Sequence, residues 1–250
     1  MTATVVSRTV KVAPVTVAFW IAKVCATTLG ETAGDLFSMT LALGYASSSL
    51  LLLALLAVAL GAQLRARRFH PARFWLVVVL TSTAGTTLSD FVDRSLGFGY
   101  ATGTALLSIA LATSLLLWWA AEGSIEVTQV HTRRQEAFYW STILCSNTLG
   151  TALGDCLAED SGLGFAGGAL LIGGLLALLA VAWRCTRLDR VLLFWFAFVL
   201  TRPFGASFGD VLTKPTAHGG LALGTVGASA ALLVLLVLAV CRPARRNHLA

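Results

Sequence analysis

Apolar stretches of about 20 residues alternate with short polar connections along the whole chain. Eight such stretches occur, and each is long enough to cross a bilayer as a helix at about 1.5 Å per residue. They lie near residues 15–37, 41–63, 74–92, 98–120, 138–157, 163–183, 191–212 and 219–241. A membrane β-barrel would instead show alternating segments of about ten residues, which this sequence lacks. The pattern therefore predicts an all-α polytopic membrane protein with eight transmembrane helices.

A second pattern is superimposed on the apolar stretches and occurs four times. In each copy a Trp is followed by a Gly 10 residues later, by an Asp after 5 more residues and by another Gly after 9 more. The copies are Trp20, Gly30, Asp35 and Gly44; Trp75, Gly85, Asp90 and Gly99; Trp140, Gly150, Asp155 and Gly164; and Trp195, Gly205, Asp210 and Gly219. Because each copy holds two apolar stretches, the repeat is predicted to be a helical hairpin. An even number of spans keeps all four copies parallel.

The repeats start 55, 65 and 55 residues apart, so the middle spacing contains a ten-residue insertion. Equal outer spacings indicate a doubled pair of repeats, compatible with pseudo-fourfold or pseudo-twofold symmetry about a central axis. The predicted segments are a cytoplasmic tail over 1–14, repeat 1 over 15–67, repeat 2 over 68–122, a cytoplasmic loop over 123–137, repeat 3 over 138–187, repeat 4 over 188–241 and a second cytoplasmic tail over 242–250.

Composition supports a membrane protein, and the positions of the charges predict its orientation. Hydrophobic residues make up 57% of the chain and charged residues 12%, against about 25% in soluble domains. Most Lys and Arg residues fall on alternate connections, which the positive-inside rule places on the cytoplasmic side with both termini. They are Arg8, Lys11, Arg65, Arg67, Arg68, Arg73, Arg133, Arg134, Arg184, Arg187, Arg190, Arg242, Arg245 and Arg246. The net charge of +6 therefore indicates contact with anionic lipid rather than nucleic acid.

Six positions of the first helix in each repeat fall on one face about 140° wide. They lie 3, 7, 10, 11, 14 and 15 residues after the Trp. In repeat order they hold Lys23, Thr27, Gly30, Glu31, Gly34 and Asp35; Val78, Ser82, Gly85, Thr86, Ser89 and Asp90; Ile143, Asn147, Gly150, Thr151, Gly154 and Asp155; and Phe198, Arg202, Gly205, Ala206, Gly209 and Asp210. These positions, called the stripe below, are mostly small or polar on otherwise apolar helices.

The stripe supports two interpretations. Small residues four apart let helices approach closely in a bilayer, which predicts a packing role for its glycines. The carboxylates need another explanation, because an uncompensated Asp at the bilayer centre costs roughly 3 kcal/mol. Either the four Asp side chains bind an ion in a shared cavity, or each caps a neighbouring helix or a hairpin turn. The capping role is supported by the position of the Asp residues in the membrane. Each Asp lies about 22 Å along the helix from its Trp, towards the outer interface.

Repeats 1 and 4 carry extra charges on the stripe. Lys23 and Glu31 occur only in repeat 1, and Arg202 followed by Pro203 only in repeat 4. Together with the four Asp residues they give five acids and two bases, a set that can bind a cation or share protons. Hydroxyl and amide groups one to two turns away, on Thr27, Ser82 and Asn147, are included in the predicted binding site. Pro203 is predicted to break or kink the seventh helix and free backbone carbonyls beside Arg202.

The remaining residue types narrow the chemistry. Trp20, Trp75, Trp140 and Trp195 each follow another aromatic residue at a helix start, which predicts interfacial anchors. The five Cys residues show no metal or disulfide spacing, and the four His residues fall in loops or the tail, so no cofactor is expected. The metal hypothesis that remains is a hard divalent cation held by the four Asp carboxylates.

The four tandem two-span repeats, each with its Trp, resemble a bacterial membrane family catalogued only as a repeat of unknown function. The resemblance covers residues 15–241 and includes Trp20, Trp75, Trp140 and Trp195. It implies four repeats and a bacterial inner (cytoplasmic) membrane, and it supplies no activity.

We expect a transporter or permeation pathway for a small cation, with the proton or a divalent metal as the first candidates. Lys23 and Arg202 leave open an anion or small-solute transporter, and the 121–136 loop leaves open a non-catalytic scaffold or regulator. An intramembrane aspartyl protease is disfavoured, because the second glycine of that motif and a Tyr-Asp partner are missing. The expected partners are membrane lipid and a small ion or solute, without nucleic acid. Either one chain closes the bundle or a homo-oligomer forms through the glycine-rich even helices.

Overall fold

The computed structural model describes residues 12–66 and 68–241, and these ranges form eight α-helices without strands. The helices are α1 (Val17–Asp35), α2 (Tyr45–Arg65), α3 (Pro71–Asp90), α4 (Gly99–Glu122), α5 (Arg133–Asp155), α6 (Gly164–Cys185), α7 (Arg190–Thr213) and α8 (Thr225–Cys241). The predicted all-α fold with four tandem two-helix repeats is confirmed. The basic residues Arg8, Lys11, Arg67, Arg242, Arg245 and Arg246 lie outside the described residues.

Five helices in the described part are long and apolar enough to cross a membrane by length and composition alone: α2, α3, α4, α6 and α7. Helix α8 is apolar but only 17 residues long. Helices α1 and α5 are not apolar enough to meet this criterion, because they contain charged and amide groups such as Lys23, Glu31 and Asn147. Both are mostly buried by other helices, so their polar groups are shielded from lipid by the bundle itself.

The first helices of the four repeats form a closed ring. Helix α1 packs on α3, α3 on α5, α5 on α7, and α7 back on α1. The second helix of each repeat lies outside this ring, against the first helix of the following repeat: α2 on α3, α4 on α5, α6 on α7 and α8 on α1. The two helices of one repeat therefore contact each other little. Each repeat needs its neighbour, and the ring closes only when α8 returns to α1.

The last glycine of the repeat is explained by its backbone conformation. Gly44, Gly99, Gly164 and Gly219 all have positive φ, between 66° and 78°. Each lies where the chain reverses direction between the two helices of a repeat. Gly44 precedes α2, Gly99 and Gly164 begin α4 and α6, and Gly219 precedes the segment that leads to α8. An L side chain rarely adopts such a φ, so glycine is required at this position.

Two helices differ from their predicted extents for local reasons. Helix α5 starts at Arg133 because Thr132 and Gln135 form a capping box before it. Helix α8 starts only at Thr225, because the preceding segment folds back on the end of α7. In that segment the Leu221 amide donates to the Val211 carbonyl at 2.7 Å.

The predicted break at Pro203 is wrong, since α7 is one continuous helix from Arg190 to Thr213. Proline removes one backbone hydrogen bond, and groups on neighbouring helices can compensate for it inside a bundle. The Pro203 ring packs against Gly150 of α5, where an added Cβ would lie 3.0 Å from Pro203 Cδ. The site beside Arg202 is therefore built from side chains on an intact helix.

An aromatic layer crosses one end of the ring, which we call the Trp end. Trp75, Trp140 and Trp195 are at most 7% exposed, and Trp20 is half-buried. Their interpretation as interfacial anchors is therefore wrong for the three buried residues, which cannot reach lipid headgroups. The ring contacts between neighbouring helices are Phe19–Trp75 at 5.7 Å, Phe74–Trp140 at 5.3 Å and Trp20–Phe194 at 5.7 Å.

Candidate functional site

Arg202 lies on the axis of the ring, since its guanidinium contacts all three other ring helices. From α7 it pairs with Glu31 of α1 at 3.0 Å, donates to Thr86 of α3, and donates to Thr151 of α5 at 2.7 Å. Its side chain is fully buried. A buried guanidinium needs a carboxylate and satisfied donors to be stable, and the surrounding helices provide both.

Glu31 is the matching acceptor on the axis. Its Oε2 accepts from Arg202, from Thr86 at 3.3 Å and from Thr151 at 3.4 Å. Two of the three extra charges of repeats 1 and 4 are thus partners in one ion pair. It lies in a layer of the ring together with the hydroxyl groups of repeats 2 and 3.

Lys23 occupies the axis on the Trp side of this layer. Its ammonium donates to Asn147 Oδ1 at 3.3 Å and lies over the Phe198 ring at 4.0 Å, while Asn147 in turn donates to Thr81 at 3.1 Å. In residues 12–66 and 68–241 no carboxylate pairs with it. Lys23 is 1% exposed, so its amine is buried, in contact with one amide and one aromatic face.

Two other predicted residues lie at the seams between ring helices. The Thr27 hydroxyl lies 3.1 Å from the Thr201 carbonyl of α7. The Ser82 carbonyl accepts from Arg202 at 3.4 Å, whereas Ser82 Oγ and Arg202 Nε have no hydrogen-bond partner among the residues that the structure describes. Buried polar atoms are normally paired, so these two retain capacity for further hydrogen bonds beside the axis.

The stripe glycines lie where ring helices touch. Each faces an interior residue of the next ring helix, in the same register in all four repeats. An added Cβ on Gly30 would meet Ser82, on Gly85 Asn147, on Gly150 Arg202 and on Gly205 Thr27; one turn on, Gly34 faces Thr86, Gly154 faces Ala206 and Gly209 faces Glu31. The glycines therefore set the distance at which the polar interior groups meet.

The four Asp residues gather at the opposite end of the ring, which we call the Asp end, and are 3–4% exposed. Two cations join them in pairs. Lys214 lies 2.7 Å from Asp35 and 3.2 Å from Asp210. The four carboxylates therefore form two bridged pairs rather than one cage.

The second pair is joined by Arg94, which lies 3.1 Å from Asp90 and 3.5 Å from Asp155. It also approaches Glu159 at 3.7 Å. Arg94 and Lys214 each follow the Asp of their own repeat by four residues, while repeats 1 and 3 have Met39 and Glu159 at that position. The cation bridges give the ring pseudo-twofold symmetry at this end.

Sequence analysis missed both bridging cations, because Arg94 and Lys214 lie beyond the Asp of their repeats and so outside the stripe. The i,i+4 spacing from Asp to Arg or Lys was the signal that could have identified them. Burial pulls the pKa of the Lys214 ammonium down, but Asp210 and Asp35 outweigh this effect and hold that pKa above its ordinary value. Lys214 is therefore charged in this conformation.

The positions of the four Asp residues argue against both a metal site and a helix-capping role. Within the described ranges, no three His, Cys, Asp or Glu side chains come close enough to hold a metal ion, so the hypothesis of a metal site at Asp35, Asp90, Asp155 and Asp210 is wrong for this conformation. Their ion pairs run to Arg94 and Lys214, and they do not cap neighbouring helices as the alternative required.

Comparison with known families matches the chain four times. The matches cover residues 18–69, 73–124, 138–189 and 193–248, and so most of the sequence. Neither the curated proteins nor the solved structures contain a match. Because the matched segments coincide with the four two-helix repeats and cover most of the sequence, the chain belongs to the family described as Repeat of Unknown Function (DUF347).

Proposed function

We propose that this protein moves protons across a membrane along the axis of its four-helix ring. The observation that carries the proposal is a column of ionisable and hydroxyl groups, arranged in layers on that axis. It runs from Lys23 past Arg202 and Glu31 to the four Asp residues. The distance from Lys23 to Asp35 along α1 is about 18 Å, more than half the hydrocarbon thickness.

Groups within one layer of the column are in hydrogen-bond contact. Lys23 contacts Asn147, and Arg202 contacts Glu31 with two threonines. Glu31 and Asp35 follow each other by one helical turn, about 6 Å along α1. Chains of ionisable side chains inside membrane proteins are typical of proton relays.

The charge pattern favours protons over larger ions. A metal ion would need several oxygen ligands free to converge, but the Asp carboxylates are bridged by Arg94 and Lys214. An anion would need several cations without partners. Arg202 is paired with Glu31, which leaves Lys23 as the basic group without a carboxylate partner in the described part of the column, beside five carboxylates. A proton needs only groups that change protonation state, and a set of interacting carboxylates can take up and release shared protons.

The aromatic layer closes the column towards the Trp end in this conformation. Transport therefore requires the layer to separate during the cycle, as alternating access does in other repeat-built transporters. We place the Trp end on the cytoplasmic side of a bacterial inner membrane, because Arg65, Arg73, Arg133, Arg134 and Arg184 lie at that end. The Asp end then faces outwards.

The test is proton flux into liposomes that contain the purified protein and an entrapped pH-sensitive dye, driven by a potassium diffusion potential. Glu31→Gln is expected to lower the initial rate by ~10²-fold, because an amide of the same shape cannot carry a proton. Asp93→Asn is the matched control. Asp93 is also a buried carboxylate, but it binds Ser89 and faces α4 rather than the axis.

Asp93→Asn is expected to retain the wild-type rate. Both variants must elute as the wild type does in size-exclusion chromatography, which excludes loss of fold as the cause. A Glu31→Gln rate equal to the wild-type rate, or a wild-type rate equal to that of empty liposomes, would overturn the proposal.

A further inference from the structure

An apolar crevice opens between α1, α6 and α7 at the Trp end. Its volume is about 840 Å³, within the range of about 300–1,000 Å³ typical of small-molecule sites. Trp20 and Ile21 of α1, Leu179 of α6 and Leu193 and Ala197 of α7 are among its lining residues. It is lined almost entirely by carbon, so it fits a hydrocarbon group.

The repeat explains why this crevice is open. At the equivalent place between α4, α5 and α7, Trp118 of α4 fills the space, with its ring 6.3 Å from Tyr139 and 5.8 Å from Trp195. Trp183 of α6 is the residue equivalent to Trp118, since both lie 43 positions after the Trp of their repeat. Trp118 is 1% exposed, whereas Trp183 is 45% exposed.

Trp183 lines the crevice without filling it, and Arg190 lies against its ring. The Arg190 guanidinium lies 4.7 Å from the centre of the Trp183 ring and donates to the Trp183 carbonyl. The crevice is therefore a position where this fold elsewhere accommodates a buried indole, and where the equivalent indole of the chain leaves the space open. An external apolar group can take its place.

Positive charge surrounds the mouth of the crevice. Arg184 directly follows Trp183, Arg187 lies in the four-residue connection to α7, and both are exposed and without an ion pair in the described part of the chain. Arg190 begins α7 over the Trp183 ring. Cationic side chains beside an apolar crevice match a phosphate headgroup attached to an acyl chain.

We infer that this crevice is a binding site for one anionic phospholipid, with an acyl chain against α1, α6 and α7 and its phosphate at Arg184, Arg187 and Arg190. The site is independent of the axial column. Its lining comes from the outer surface of the ring, and it opens to the lipid side of the bundle.

The test measures lipid retained on the purified protein by native mass spectrometry after addition of phosphatidylglycerol or of phosphatidylcholine with the same acyl chains. The wild type is expected to retain one phosphatidylglycerol and at least 5-fold less phosphatidylcholine. Ala197→Phe fills the crevice and is expected to lose the bound lipid. Ala231→Phe, on an exposed face of α8, is the matched control and is expected to keep it.

A second variant covers the case in which Ala197→Phe fails to fold. Replacing Arg184 and Arg187 together with Gln changes only exposed side chains and is expected to abolish the preference for phosphatidylglycerol. Equal retention of the two lipids by the wild type would overturn the inference, as would full retention in a folded Ala197→Phe variant. Neither result depends on whether the protein moves protons.

Discussion

Arg202→Met is expected to destabilise the folded protein by about 3–5 kcal/mol, the typical cost of removing one partner from a buried ion pair. The substitution leaves Glu31 buried with two threonine donors and no cation. It also removes the contacts that tie α7 to α1, α3 and α5 at the axis. The measurement is the free energy of unfolding in detergent, from denaturant titration followed by far-ultraviolet circular dichroism.

The double variant Arg202→Met with Glu31→Gln separates charge from packing. With both charges removed, no uncompensated ion remains, so stability is expected to recover most of the loss. Arg187→Met is the control; it removes an exposed guanidinium that has no ion pair in the described part of the chain, and it is expected to change stability by less than about 0.5 kcal/mol. A double variant less stable than Arg202→Met would contradict this account of the axis.

The ring of first helices could be anticipated from the sequence because its physical cause is visible there. Polar residues at stripe positions cannot face lipid, and their equal spacing in four copies requires four equivalent helices around them. Arg202 and Glu31 were recognisable as members of one cluster for the same reason. Their pairing could not be predicted, because it depends on α7 of repeat 4 lying beside α1 of repeat 1.

The outer helices could not be placed by the same reasoning. Helices α2, α4, α6 and α8 are apolar on all sides, so no polar face indicates which neighbour they contact. Their packing on the following repeat follows from the turns after α1, α3, α5 and α7, where glycines with positive φ redirect the chain. The open crevice was equally hidden, since it depends on the different positions of Trp118 and Trp183.

Gly205→Leu is expected to prevent closure of the ring and to abolish the folded, monodisperse protein. Gly205 is where α7 meets α1, and an added Cβ there would lie 2.9 Å from the Thr27 carbonyl carbon, which belongs to backbone and cannot rotate away. Overpacking a tight contact costs about 1–3 kcal/mol, occasionally more. The upper end is expected here, because the same contact positions Thr27 against the Thr201 carbonyl. Size-exclusion chromatography after detergent extraction measures the folded fraction.

Gly174→Leu is the matched control, since Gly174 lies on α6 and an added Cβ meets no atom within 4 Å. It is expected to yield as much folded protein as the wild type, because leucine also has the higher helix propensity. Gly205→Ala gives an intermediate case, in which a single methyl group pushes α7 from α1 and lowers the melting temperature without preventing folding. Equal folded fractions for Gly205→Leu and Gly174→Leu would show that the packing of α7 on α1 does not depend on the close contact at Gly205. The distance between the polar groups on the axis would then need another explanation.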